Sequence, residues 1–347
     1  LMGAGLALEA GGTAMMAFAF GPAWLYFCAL FQGAGAGICG MVTAAALISS
    51  WFYDNHGTRL SIAFAAGAAG AALLSPVLGF CLSSFGWRLT YVIQAGLAAL
   101  LLLPCLVLPV EAFPERLGQV PSGTLRPEKE ACAARFPKVF SQTVLICVLA
   151  ALLVGIPQHF GNYALSIGLD LQAGASMLAW AMTGNVVFKL AAAAAGRFCE
   201  PPAALLGLCA VSAAGLAGLL ISMAFPTRTA VLLPAFLAGS IYGLADLSAP
   251  LLIEYYFGRK KYVRLYAALN FAEVMMSAVS ISLAGWMYDL ALNYVWILSA
   301  ALTVCAIIAL LLYLMRRKNR IPESWRESAS RLKSAFDSKK KAPDPAE

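Results

Sequence analysis

Trp51-Phe52-Tyr53-Asp54-Asn55-His56-Gly57-Thr58-Arg59-Leu60 and Tyr256-Phe257-Gly258-Arg259-Lys260-Lys261-Tyr262-Val263-Arg264-Leu265 decide the fold. Each stretch places six residues between an aromatic-Phe pair and Arg-Leu, and the two lie 205 residues apart. The same offset carries Phe31, Ile48 and Ala63 onto Phe236, Ile253 and Ala268. Both copies join two long apolar segments through a short polar turn. Self-similarity at this scale in apolar sequence is the mark of duplicated helical bundles in lipid.

Composition agrees. Sixty-one per cent hydrophobic residues, 12% charged residues and a mean hydropathy of +0.79 over 347 residues exclude a soluble domain. About ten stretches reach the roughly 20 apolar residues that cross a bilayer core of about 30 Å. They fall near 1–20, 24–49, 60–83, 89–110, 139–160, 172–195, 203–224, 229–253, 263–287 and 291–315. Long apolar runs without period-2 alternation satisfy their backbone as helices rather than as a barrel. The expected fold class is an all-α integral membrane protein of two pseudo-symmetric bundles, four helices then six.

Charge placement predicts the orientation. Of 24 Lys and Arg residues, Arg88 and Arg228 fall in loops on one side, Lys189 lies within a span, and the other 21 cluster on the opposite side. The positive-inside rule makes that side cytoplasmic, with both chain ends, and points to a plasma membrane, in the bacterial case the inner one. The net charge of +7 is then a topology signal and not a nucleic-acid footprint. In the basic tail, 316–347, Ile321, Trp325, Ala329, Leu332 and Phe336 fall at helical spacing, and the segment reads as a solvated tail or a short amphipathic helix. The nine cysteines are scattered, without C-x-x-C or a neighbouring His cluster, so neither a disulfide framework nor a metal site is read. No P-loop, G-x-S-x-G or H-E-x-x-H is present, which leaves no catalytic residue, no enzyme activity and no cofactor to expect.

The proline-rich segment 111–138 divides the chain into an N-terminal bundle, 1–110, and a C-terminal six-helix bundle, 139–315. Shifted back by the repeat offset, the spans at 139–200 fall before residue 1. The first half is thus expected to lack two helices, roughly 60–75 residues if each span and turn has its usual length. Leu1 in place of Met fits a truncated chain.

In this layout the chain resembles helices three to twelve of a major facilitator superfamily transporter. Gln32-Gly33-Ala34-Gly35-Ala36-Gly37 is similar to the small-residue face of that family's fourth helix, where helices approach closely. Gly196-Arg197-Phe198-Cys199-Glu200 is similar to its cytoplasmic gating motif, with Glu where Asp is usual and Pro201-Pro202 where basic residues follow. The resemblance makes Gly196, Arg197 and Glu200, with Arg59 and Arg264 of the repeated turns, candidate gating residues. Phe85-Gly86-Trp87-Arg88, Gly285-Trp286-Met287-Tyr288-Asp289, Tyr256-Phe257-Gly258, and Asn185 with Lys189 look most like the oxalate/formate and monocarboxylate transporter groups. Ser75-Pro76-Val77-Leu78-Gly79 matches the antiporter signature only in part, leaving exchange and proton symport both open.

Polar groups deep in a membrane are costly and mark function. Lys189, with Asn185 one turn before it, suits a carboxylate; the structural alternatives are an ion pair with Glu273 or a snorkelled lysine. Glu273, with Asn270 three residues earlier on the same face, is a candidate proton carrier or the neutraliser of Lys189. Asp246, with Tyr242 four residues earlier, is a candidate for substrate or proton handling, or steadies a helix break near Pro250. Pro157 and Gly161 are expected to loosen the helix around His159, a candidate substrate contact that titrates near neutral pH when wetted. Glu9 is given no direct role, and Asp54 and His56, in a cytoplasmic turn, read as gate-loop or solvated residues.

These residues together imply a monomeric secondary active transporter of a small organic solute, an anion such as a monocarboxylate first, coupled to protons or a counter-solute. Lys189, His159, Asn185, Tyr242 and Asn270 would bind substrate, and Asp246 and Glu273 would couple protons. Two rivals remain: a multidrug or lipophilic-cation efflux carrier resting on Glu9, Asp246 and Glu273, and a truncated transporter-like protein that binds without translocating.

Overall fold

The computed structural model describes residues 2–52, 56–107, 111, 113–120, 122, 136–196, 198–258 and 261–318. Among them the chain is all-α: thirteen helices, a 3-10 turn at Pro114–Leu117, and one isolated bridge between Phe52 and Ser122. Nine spans among the described residues are long and apolar enough to cross a membrane. The tenth expected span, 1–20, is represented by α1 (Met2–Met16), a 15-residue helix. It stops where the Trp24 indole donates to the Met15 carbonyl oxygen at 2.9 Å.

Contacts divide the described residues into two compact units, one within 1–56 and 67–127, the other within 57–66 and 128–347. In the first, α2 (Pro22–Cys39) lays its small-residue face on α1, and Gln32 donates to Thr13 Oγ1 at 2.8 Å across the contact. After α3 (Met41–Trp51), α4 (His56–Val107) runs 52 residues and carries two spans, its residues 57–66 grouping with the second unit. They part at Gly86, whose φ of +76° and ψ of 171° suit a residue without Cβ.

The second unit contains α5 (Phe136–Leu153), α6 (Gly155–Gln158), α7 (Phe160–Ser166), α8 (Leu171–Ala195), α9 (Pro201–Ser222), α10 (Arg228–Ala238), α11 (Ser240–Phe257), α12 (Tyr262–Ala291) and α13 (Tyr294–Lys318). Near two of its prolines, Pro157 and Pro234, a serine from another helix bonds the freed backbone groups. Pro157 supplies no N–H, and the chain interrupts between α5 and α7. There Ser280 of α12 donates its hydroxyl to Leu152 O and accepts from Gly155 N at 3.0 Å. Pro234 leaves the Ala230 carbonyl without its helical donor, and Ser222 of α9 donates to it at 3.1 Å. In lipid, where no water can fill such gaps, these hydroxyls stand in for the missing backbone bonds.

The repeated turns occupy matching places. Phe52 caps α3 and Phe257 closes α11, while Arg59 and Arg264 lie in the first turns of α4 and α12.

Candidate functional site

Two glycines bring the polar residues of the second unit together. At Gly184 of α8 a Cβ would lie 2.0 Å from the Phe236 carbonyl oxygen; at Gly239, between α10 and α11, it would lie 2.1 Å from that of Ala181. Neither position tolerates a side chain, so the backbones cross at near-contact distance. Lys189 follows Gly184 by five residues and Asp246 follows Gly239 by seven, so both lie one to two turns past the crossing.

There they meet. The Lys189 ammonium donates to Asp246 Oδ2 at 2.5 Å. The lysine side chain is 2% exposed and the aspartate 28%, so the aspartate is the more accessible member of the pair. The Lys189 stem lies over Gly243 of α11 and reaches across to the next helix, not along its own toward water. Snorkelling is thereby excluded.

The pairing with Glu273 considered from sequence is corrected as well. α11 packs against both α8 and α12 and stands between Lys189 and Glu273, so Asp246 takes the ammonium first. Glu273, 9% exposed, instead lies beside the buried Cys147 thiol of α5. Its Oε1 has no partner. Asp246 is near enough to Glu273 for the two carboxylates to act on one another, and the Tyr266 phenol borders both. Asp246 steadies no break at Pro250, through which α11 runs to Phe257. That proline does leave the Asp246 carbonyl without a helical donor.

Tyr242, one turn before Asp246, accepts a hydrogen bond from Gln158 at 3.0 Å. This ties the α6 end of the broken helix to α11. Asn185 is buried, one turn before Lys189, with Oδ1 unpartnered. Asn270 is half-buried three residues before Glu273. His159 lies at the α6–α7 break as expected, but its Nε2 is 3.0 Å from the Ile281 carbonyl oxygen and its ring neighbours Tyr294. It is engaged with helix backbone and not with the ion pair.

Of the gating candidates, Glu200 lies 3.6 Å from the Arg316 guanidinium, joining the α8–α9 turn to the end of α13. Gly196 ends α8 beside Thr58, whose hydroxyl donates to Ala193 O at 3.2 Å. Arg264 is exposed. Arg197 lies outside the described residues, as do Asp54 and the tail beyond 318. Glu9, in the first unit, is half-buried with Cys39 Sγ 3.6 Å from its Oε2.

Sequence reasoning missed Cys147, Ser280 and the Gly184/Gly239 crossing. A cysteine or serine in an apolar span gives no one-dimensional sign of what faces it. Pro157 did signal the loosened helix around His159, but not the hydroxyl that bonds its backbone.

A family model of the Major Facilitator Superfamily matches residues 1–281. The chain belongs to that superfamily. It is a multi-pass membrane protein of a family of secondary transporters, not of enzymes. The fold is similar to that of the E. coli fucose:proton symporter FucP, with a TM-score of 0.63 at 15% identity over 92% of this chain and 83% of that one. A second structure of FucP, in the outward conformation, gives 0.60 at 16% identity over 93% and 81%. At such identity the likeness is one of fold. No curated protein matches the sequence.

Proposed function

We propose that this member is a proton-coupled carrier of a small organic anion, with a monocarboxylate as cargo. The observation that carries the reading is the Lys189–Asp246 pair, a buried cation whose only close counter-ion among the described residues is itself partly exposed. A proton arriving on Asp246 removes its claim on the ammonium, and a carboxylate solute takes its place. The exchange swaps one carboxylate for another, so the buried lysine never stands uncompensated, which a low-dielectric interior would penalise heavily. Loss of the proton returns Asp246 to Lys189 and expels the anion. Anion and proton therefore travel together.

Asn185 and Tyr242 flank the pair one helical turn away on their respective helices. The unpartnered Asn185 Oδ1 accepts a hydrogen bond from a hydroxyl, which suits a 2-hydroxy monocarboxylate. The fucose:proton symporter shares the fold and couples its solute to protons, which supports coupling in this architecture. The carrier works in the cell membrane as a monomer, with its basic segments cytoplasmic, by rocking of two bundles. Gly196, Arg197, Glu200, Arg59 and Arg264 form its inner gate.

The test is uptake of labelled lactate into liposomes holding the purified protein, driven by an acidic exterior. Lys189→Ala should abolish it, whereas efflux of a lipophilic cation would survive that change. Transport that persists in Lys189→Ala with unchanged affinity for every anion tried refutes the assignment.

A further inference from the structure

The buried polar cluster of the second unit contains more negative charge than positive. Lys189 supplies one cation, while Asp246 and Glu273 supply two carboxylates, and the ammonium is spent on Asp246 at 2.5 Å. Glu273 has no cation partner among the described residues. The helices packed against α12 are α5, α6, α11 and α13. From α5 the titratable group facing Glu273 is the Cys147 thiol, and from α11 it is Asp246; its own helix adds Tyr266. α6, Gly155–Gln158, carries no titratable side chain. Of the described basic residues of α13, Arg316 pairs with Glu200, and none is within ion-pair distance of Glu273. None of these neighbours is a cation.

A carboxylate 9% exposed, with one oxygen unpartnered and a second carboxylate nearby, is the arrangement least able to hold its charge. One proton on Oε1 makes the cluster neutral and gives the orphaned oxygen its hydrogen. We propose that Glu273 and Cys147 form a proton site separate from the Lys189–Asp246 pair, and that it stays occupied while that pair exchanges its counter-ion. This rests on the anion reading for its consequence, though not for its test. The empty cluster (Lys189 cation, Asp246 anion, Glu273 acid) holds one proton and is neutral. The loaded cluster adds one monocarboxylate and, on Asp246, one further proton, and is neutral again. Each anion thus moves with a single proton and no net charge. The resident proton on Glu273 leaves that ratio unchanged; it holds the cluster neutral in both states and leaves Asp246 as the coupling group.

The first measurement is the infrared spectrum of the detergent-purified protein at neutral pH, in the carbonyl-stretch region of protonated carboxyl groups. The expected result is a band that disappears in Glu273→Gln and shifts in Cys147→Ala, where the carboxyl loses its thiol partner. Identical bands in the wild type and Glu273→Gln mean an ionised Glu273 and overturn the proposal. Cys147→Ala keeps the question answerable if the glutamine variant does not fold, since an unshifted band also overturns it. The second measurement is lactate uptake into liposomes under an imposed potassium diffusion potential. Uptake indifferent to the potential in the wild type supports the single-proton balance, and acceleration by an inside-negative potential refutes it. If lactate and related anions do not move at all, the transport reading fails while the infrared result still decides the proton site.

Discussion

Asp246→Asn should destabilise the protein far more than Lys189→Met, although both break the same ion pair. The aspartate change leaves an ammonium whose side chain is 2% exposed without its counter-ion. Removing one member of a buried pair costs about 3–5 kcal/mol. A ceiling comes from the escape open to any lysine: giving up its proton at pH 7 costs about 4–5 kcal/mol for an ordinary ammonium. The lysine change leaves a carboxylate that is 28% exposed and keeps part of its hydration, so a smaller loss of about 1–2 kcal/mol is expected. With both residues changed no ion remains. The double variant should then lie near Lys189→Met, about 3–5 kcal/mol better than the sum of the singles. The assay is denaturant unfolding in fixed detergent at pH 7, followed by tryptophan fluorescence. A cost below about 1 kcal/mol for Asp246→Asn, or strictly additive singles, would show that the pair does not hold the folded bundle as described.

Other consequences can be checked by the same unfolding assay. Gly239→Ala places a Cβ 2.1 Å from Ala181 O and should cost about 3 kcal/mol or more. The same change at Gly207, where nothing lies within 4 Å, should be neutral or slightly stabilising. Ser280→Ala removes the hydroxyl that splices the α5–α6 break and should cost about 1–3 kcal/mol. It should also speed hydrogen exchange at the Gly155 amide. Gly86→Ala forces a side chain to a φ of +76°, costing about 1–2 kcal/mol. Arg316→Ala opens a half-exposed pair with Glu200 and should change stability by only about 0–1 kcal/mol.

The membrane class and the approximate positions of the spans are determined by the sequence alone. A bilayer imposes a length and a hydropathy on every crossing segment, and both are local properties of the chain. Pro157 announced a loosened helix for the same local reason, since proline supplies no N–H wherever the fold places it. Lys189, Asp246 and Glu273 also stand out one by one, because any ionisable group in such a span is exceptional. Only the tertiary structure decided which of them meet. Glu273 was as plausible a partner for Lys189 as Asp246 on depth and charge. The choice fell to Asp246 because α11 packs between α8 and α12 and because Gly184 and Gly239 let α8 and the α10–α11 junction cross at backbone contact. Helix adjacency and crossing distance arise from residues far apart in the chain. No periodicity within one segment encodes them.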